Sequence, residues 1–174
     1  MTKPIKGLLL GAQGMVIERT YSEEIIRSIV AHPKIYPWIC EDGAPSPENW
    51  RPILIDSVYY LLVKEITKQN PIVLGLFAVV PSTTSCVYQV HTALLPISWG
   101  PLAKQAAKEL LHWVWTNLPN CTRLCGEVPA NNRLAYKFGI EAYGMTQYGR
   151  NPKSFLKNKK LQDVILLGIT RPGV

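Results

Sequence analysis

His91, Glu127 and Tyr136 are the side chains in this sequence best suited to moving protons. Imidazole titrates near neutrality, so His91 leads as a general base. It lies in Gln89-Val90-His91-Thr92, a stretch that reads as strand. Strand alternation sets it on the face of Gln89, opposite Tyr88, Val90 and Thr92. Glu127, on a later strand, is a second base candidate. Tyr136 is a candidate acid, with Tyr143 the other phenol of that region. A different chemistry belongs to the turn Ile97-Ser98-Trp99-Gly100-Pro101. It opens a helix, and the unpaired amides and dipole of a helix N-terminus attract anions. Pro101 brings no N–H and Leu102 resists positive φ, while Lys104 and Lys108 add positive charge.

These residues need elements to hold them. Cys86 to Leu95 reads as a strand, Pro101 to Leu118 as a helix with one broad apolar stripe, and Leu124 to Val128 as a returning strand. Together they make a βαβ crossover over residues 86–128, right-handed by the general rule. Met15 to Thr20 is an early strand. Ser22 caps a helix that Pro33 stops, and residues 32–52 form an irregular, proline-rich region. Ser57–Ile66 and Ile72–Val80 form an antiparallel hairpin around Asn70-Pro71. Asn131 or Asn132 caps a helix that Gly144 ends, and a hairpin turning at residues 157–160 closes the chain. The fold class is α/β (α+β): a mixed, mostly antiparallel central sheet with helices on both faces. The expectation is one domain over residues 1–174, with residues 1–14 an arm or an extra strand.

Composition narrows the function classes. The 174 residues carry a formal charge of +7, which suits nucleic acid, an acidic surface or a polyphosphate ligand. Part of the excess is Lys153, Lys157, Lys159 and Lys160, read as a solvated hairpin tip. No nucleic-acid motif accompanies the charge, so nucleic acid is not expected as a partner. The four cysteines match no zinc spacing and are expected as free thiols; no metal is expected. No stretch is long and apolar enough to span a membrane.

The element order resembles the GNAT fold of the Gcn-five-related N-acetyltransferases. The stretch Leu94-Leu95-Pro96-Ile97-Ser98-Trp99-Gly100-Pro101-Leu102-Ala103-Lys104 is similar to that family's pyrophosphate turn, V-x-P-x-x-R-G-x-G-x-G/A. Pro96 and Gly100 are kept. Trp99 replaces the arginine, and Leu102 and Lys104 stand where small residues are usual. Asn132-Arg133-Leu134-Ala135 resembles the family's N-x-x-A. The resemblance implies acetyl-CoA or CoA as co-substrate. It implies pantetheine against Leu94, Leu95 and Asn132, and pyrophosphate on the backbone of Gly100, Leu102, Ala103 and Lys104. The family's tyrosine acid would fall near Phe138 or Gly139, which leaves Tyr136 and Tyr143 as the nearest phenols.

The runs His32–Pro37, Gln89–Thr92, Val128–Arg133 and Leu161–Ile165 look like those of phage-encoded relatives, some of them head-assembly proteins and others acetyltransferases. Two readings follow. One is an acetyl-CoA-dependent N-acetyltransferase acting on an amine. The other is a non-catalytic phage head or virion assembly protein on the same fold, with phage structural proteins as partners. The expected location is the cytoplasm of a bacterial host, or the virion under the second reading.

Overall fold

The computed structural model describes residues 9–10, 14–67 and 70–174. Its elements are β1 (Leu9–Leu10), β2 (Met15–Arg19), α1 (Glu23–Val30), α2 (Tyr36–Ile39), β3 (Tyr59–Glu65), β4 (Ile72–Pro81), β5 (Val87–Leu94), α3 (Pro101–Asn117), β6 (Arg123–Pro129), α4 (Arg133–Glu141), β7 (Thr146–Lys157) and β8 (Lys160–Thr170). A single 3-10 turn, Pro96–Ser98, joins β5 to α3. The strands form one mixed sheet in the order β1-β2-β3-β4-β5-β6-β8-β7. Every neighbouring pair is antiparallel except β5–β6, which the α3 crossover makes parallel. The mixed, mostly antiparallel sheet with helices on both faces is the architecture the residues imply.

Local signals explain the helices. Ser22 accepts from the Ile25 amide at 3.3 Å and so starts α1. Its buried stripe, Ile26, Ile29 and Val30, packs with Tyr60, Leu62, Leu76 and Ala93 on one sheet face. Ala103, Ala106, Ala107, Leu110, Trp113 and Val114 of α3 fill the other, with Phe77, Val79, Leu124 and Leu167. Pro101 starts α3 at the first helical position, where its missing N–H is no loss. Ala135, Tyr136, Phe138 and Ile140 of α4 pack against the same cluster as α3.

One expectation narrows and another needs revision. Of the N-terminal arm, Leu9 and Leu10 pair with Ile17 and Val16 as a short extra strand; residues 1–8 and 11–13 lie outside the described residues. The lysine-rich hairpin tip is not simply solvated. The Asp42 carboxylate accepts from the amides of Asn158 (3.0 Å) and Lys159 (2.7 Å), and the Lys157 ammonium donates to the Cys40 carbonyl at 2.7 Å. The Asp42 amide in turn donates to Leu156 at 3.0 Å. The tip is thereby fastened to the segment after α2. These bonds hold the Asp42 carboxyl below the usual carboxylate range, the two amides first and the lysine charges after them. The reason it escaped the sequence is its span: the partners are 116 and 117 residues apart.

Candidate active site

The sheet opens where the crossover begins. β5 and β6 pair at Val87–Arg123, Tyr88–Leu124 and Gln89–Cys125, and nowhere beyond. β5 nevertheless continues against β4 as far as Leu94, and β6 against β8 as far as Pro129. The two halves of the sheet therefore diverge after Gln89, each strand keeping its outer partner. A bulge in β4 lies level with the end of the gap, between the Val63–Gly75 and Lys64–Val73 pairs. Gly75 is obligatory there: its φ is +143°, and a Cβ would sit 2.4 Å from the Ala93 carbonyl oxygen.

Alternation fixes which backbone groups face the gap. The Leu95 amide donates to Leu74 on β4 at 2.8 Å, so Leu94 and Thr92 turn their backbone groups the other way, toward β6. Leu95 cannot serve pantetheine as expected. Its N–H is spent on Leu74, and its carbonyl accepts from the Ser98 amide (2.9 Å) and hydroxyl (2.7 Å). Leu94 keeps its N–H toward the gap, but its carbonyl accepts from the Trp99 indole at 2.9 Å. That contact is worth only about 1 kcal/mol net, so a competing donor could replace it. Thr92, not anticipated, is the residue whose backbone lies along the open edge.

Two cavities meet at this gap. The Gly100 cavity, about 470 Å³, is lined by Leu94, Trp99, Gly100, Ala103, Lys34 and Arg133 among others. Gly100 has φ +95°, and the place of its missing Cβ has no heavy atom within 4 Å. The first ladder bond of α3 runs from the Lys104 amide to the Gly100 carbonyl at 3.3 Å. The amides of Leu102 and Ala103 therefore precede the ladder, and no side chain caps them. The Lys104 ammonium is paired with Glu141 at 2.8 Å, not turned to this cavity as expected, though the pair is exposed and screened by solvent. Lys34 and Arg133 supply the positive charge instead; neither had been singled out. Asn132 lines both cavities, and its Oδ1 accepts from the Ala135 amide at 3.1 Å to start α4.

The Glu127 cavity, about 540 Å³, is lined from both strands of the gap, β5 and β6. His91 and Glu127 share its wall with Thr92, Tyr143, Trp38, Trp50, Tyr60 and Phe155. Glu127 Oε1 accepts from Gln89 Nε2 at 2.6 Å, a bond that crosses from β5 to β6 just past their last pairing. His91 is exposed by surface area, yet protein atoms crowd its ring enough for desolvation to lower its pKa below the usual imidazole value, with the Glu127 charge opposing. His91 is thus a neutral base at neutral pH.

Tyr136 is displaced from the expected role. It packs against the α3 side of the core and lines neither cavity. Tyr143 is the phenol at the gap. Its hydroxyl lies 3.0 Å from Thr92 Oγ1, and its ring meets Phe138 and Phe77 edge-on at 5.2 and 6.3 Å. Burial pushes its pKa well above the ordinary phenol value, with the Thr92 bond acting against this, so it stays protonated. Among the described residues no group of three or more His, Cys, Asp or Glu is arranged to hold a metal ion. A third hollow, about 570 Å³, opens on the outer face of α1 around Glu23, Glu24 and Glu48, apart from the gap.

An open gap between parallel strands, flanked by an uncapped helix N-terminus, invites comparison with known structures. The spermidine N-acetyltransferase of Vibrio cholerae, solved with CoA and spermine, superposes with a TM-score of 0.72 over 91% of this chain and 96% of its own, at 15% identity. The ribosomal-protein-S5-alanine acetyltransferase of Vibrio fischeri gives 0.70 over 94% and 96%, also at 15% identity. This chain has the GNAT fold. A GNAT-family acetyltransferase of Bacillus anthracis gives 0.70 over 92% and 97%, again at 15% identity. No protein-family model matches the sequence, and a search of curated proteins returns no match. The likeness to GNAT proteins is therefore one of backbone. Among the described residues no helix is long and apolar enough to cross a membrane.

Proposed function

We propose that this chain is an acetyl-CoA-dependent N-acetyltransferase acting on an amine. The observation that carries the reading is the pair of cavities with opposite charge, Lys34 and Arg133 on one side and Glu127 on the other, meeting where β5 and β6 part. A polyanionic donor suits the first, and a cationic acceptor suits the second. A neighbour of the same fold, the Vibrio cholerae spermidine N-acetyltransferase, was solved in complex with CoA and spermine.

The residues fit the donor. The Gly100 cradle is open, the Leu102 and Ala103 amides point ahead of their helix, and the gap-facing groups of Thr92 and Leu94 can pair with an amide-bearing arm. Acetyl-CoA would supply an activated thioester carbonyl at the gap. His91 would take the proton that an ammonium must lose before its nitrogen can attack. Tyr143, kept protonated by burial, would hold a proton beside the sulfur leaving that carbonyl. Asn132 would orient the arm from both cavities.

Calorimetric titration with CoA and acetyl-CoA tests this. The expected result is micromolar binding with Gly100-dependent heat. A folded protein that takes up neither ligand at high micromolar concentration would sink the proposal. A head-assembly role on the same fold predicts that silent outcome, so one titration separates the two.

A further inference from the structure

The Glu127 cavity is electrostatically one-sided. In a chain of net charge +7, no Lys or Arg is among its described lining residues, and Glu127 is its single formal charge at neutral pH. Gln89 fixes Oε1 of that carboxylate; Oε2 has no hydrogen-bond partner among the described residues. The rest of the wall is mainly apolar, with Trp38, Ile39, Trp50, Ile53, Tyr60 and Phe155 prominent. Glu127 is exposed and hydrated, so it is an oriented carboxylate beside an aromatic wall with room for a cation rather than a stranded buried charge.

Resting on the acetyl-transfer reading, we infer that the acceptor is an apolar monoamine: one ammonium on a ring-sized hydrocarbon body, of the arylalkylamine kind. The ammonium completes the pair with Glu127 and lies within the wall that also holds His91, the base that must deprotonate it. The body covers the tryptophan, tyrosine and phenylalanine surfaces, where an adjacent cation also gains from ring faces. A polyamine would press a second ammonium against apolar wall with no carboxylate to receive it. An amino acid or peptide terminus would bring polar groups with no cation there to match them. A long acyl chain from the donor side would fill the hollow but leave Glu127 unpaired.

The test uses the full chain with 2-phenylethylamine and spermidine as probes, titrated calorimetrically with and without saturating CoA. The aromatic amine is expected to bind at least about tenfold more tightly than spermidine. Glu127→Gln should weaken 2-phenylethylamine about tenfold, the usual scale for losing one charged hydrogen-bond partner. The glutamine oxygen can still accept from Gln89, so the fold is kept, and circular dichroism checks it. Equal or tighter spermidine binding, no aromatic amine binding, or an unchanged affinity in Glu127→Gln overturns the inference. CoA binding is read in the same instrument. Aromatic amine binding without CoA binding overturns the acetyl-transfer reading and supports the amine site; CoA binding without amine preference does the reverse.

Discussion

The two cavities that meet at the gap are built from different materials. The Gly100 side offers backbone: two helix amides, a strand edge and an empty Cβ position. The Glu127 side acts through side chains: one carboxylate, one imidazole and a ring of aromatics. A backbone site survives extensive change in sequence, because every residue except proline brings the same N–H. A side-chain site changes its ligand with each substitution. This is how a chain only 15% identical to the Vibrio cholerae enzyme can keep its fold over 91% of its length.

Substitutions that hit one side alone put this contrast at risk. The largest effect is expected from Gly100→Asp, which combines a strained φ with a negative charge against the donor's phosphates. CoA affinity should fall by about a hundredfold or more in calorimetry, with amine binding unmoved; equal losses of both ligands would mean the sides are not separable. Tyr143→Phe, at the junction, should lower kcat by about a hundredfold with CoA affinity unchanged. A fall of less than threefold would remove Tyr143 from the proton path.

The pH profile probes the Glu127 side. His91 titrates below 6.5, so kcat/KM should be flat near neutrality and fall about tenfold per pH unit only below that depressed value. Stability follows the same sign. Between 6.5 and the lower folded-state pKa the unfolded chain binds the proton that folded His91 refuses, so acidification through that window destabilises the fold. His91→Gln should flatten both dependences. Trp99→Arg sharpens the donor side, because it frees the Leu94 carbonyl and adds a cation near the helix start. CoA should bind about fivefold more tightly, a gain of about 1 kcal/mol. The smallest effect is expected from Asp42→Asn, which weakens the bonds to Asn158 and Lys159. Amide exchange at those two residues should accelerate while CoA binding stays constant.

What the sequence made legible follows the range of each interaction. Strand alternation, the Ser22 and Asn132 caps and the α3 stripe are local, and each appears where the residues place it. Of the residues picked out in the sequence, Leu94, Gly100, Ala103, His91 and Asn132 line the cavities. Sequence alone failed at Leu95 and Lys104, whose groups are taken by Leu74, Ser98 and Glu141. It failed also in preferring Tyr136 over Tyr143, because choosing between them needs the contact with Thr92, 51 residues away. Lys34 and Arg133 carried no signal: a lone cation, in a turn like Lys34 or at a helix start like Arg133, looks the same whether it lines a cavity or faces water.

The Asp42 clamp has a consequence for the order in which the molecule can be assembled. A chain emerging from the ribosome presents Asp42 long before Asn158 and Lys159 exist to meet it. β6 likewise waits for β8, its partner on the side away from the gap. Until the last hairpin arrives, the Glu127 cavity lacks Phe155 and Val164, while the Gly100 cavity already has all of its lining residues. A stalled or clipped chain would thus carry every lining residue of the Gly100 cavity but only part of the wall of the Glu127 cavity.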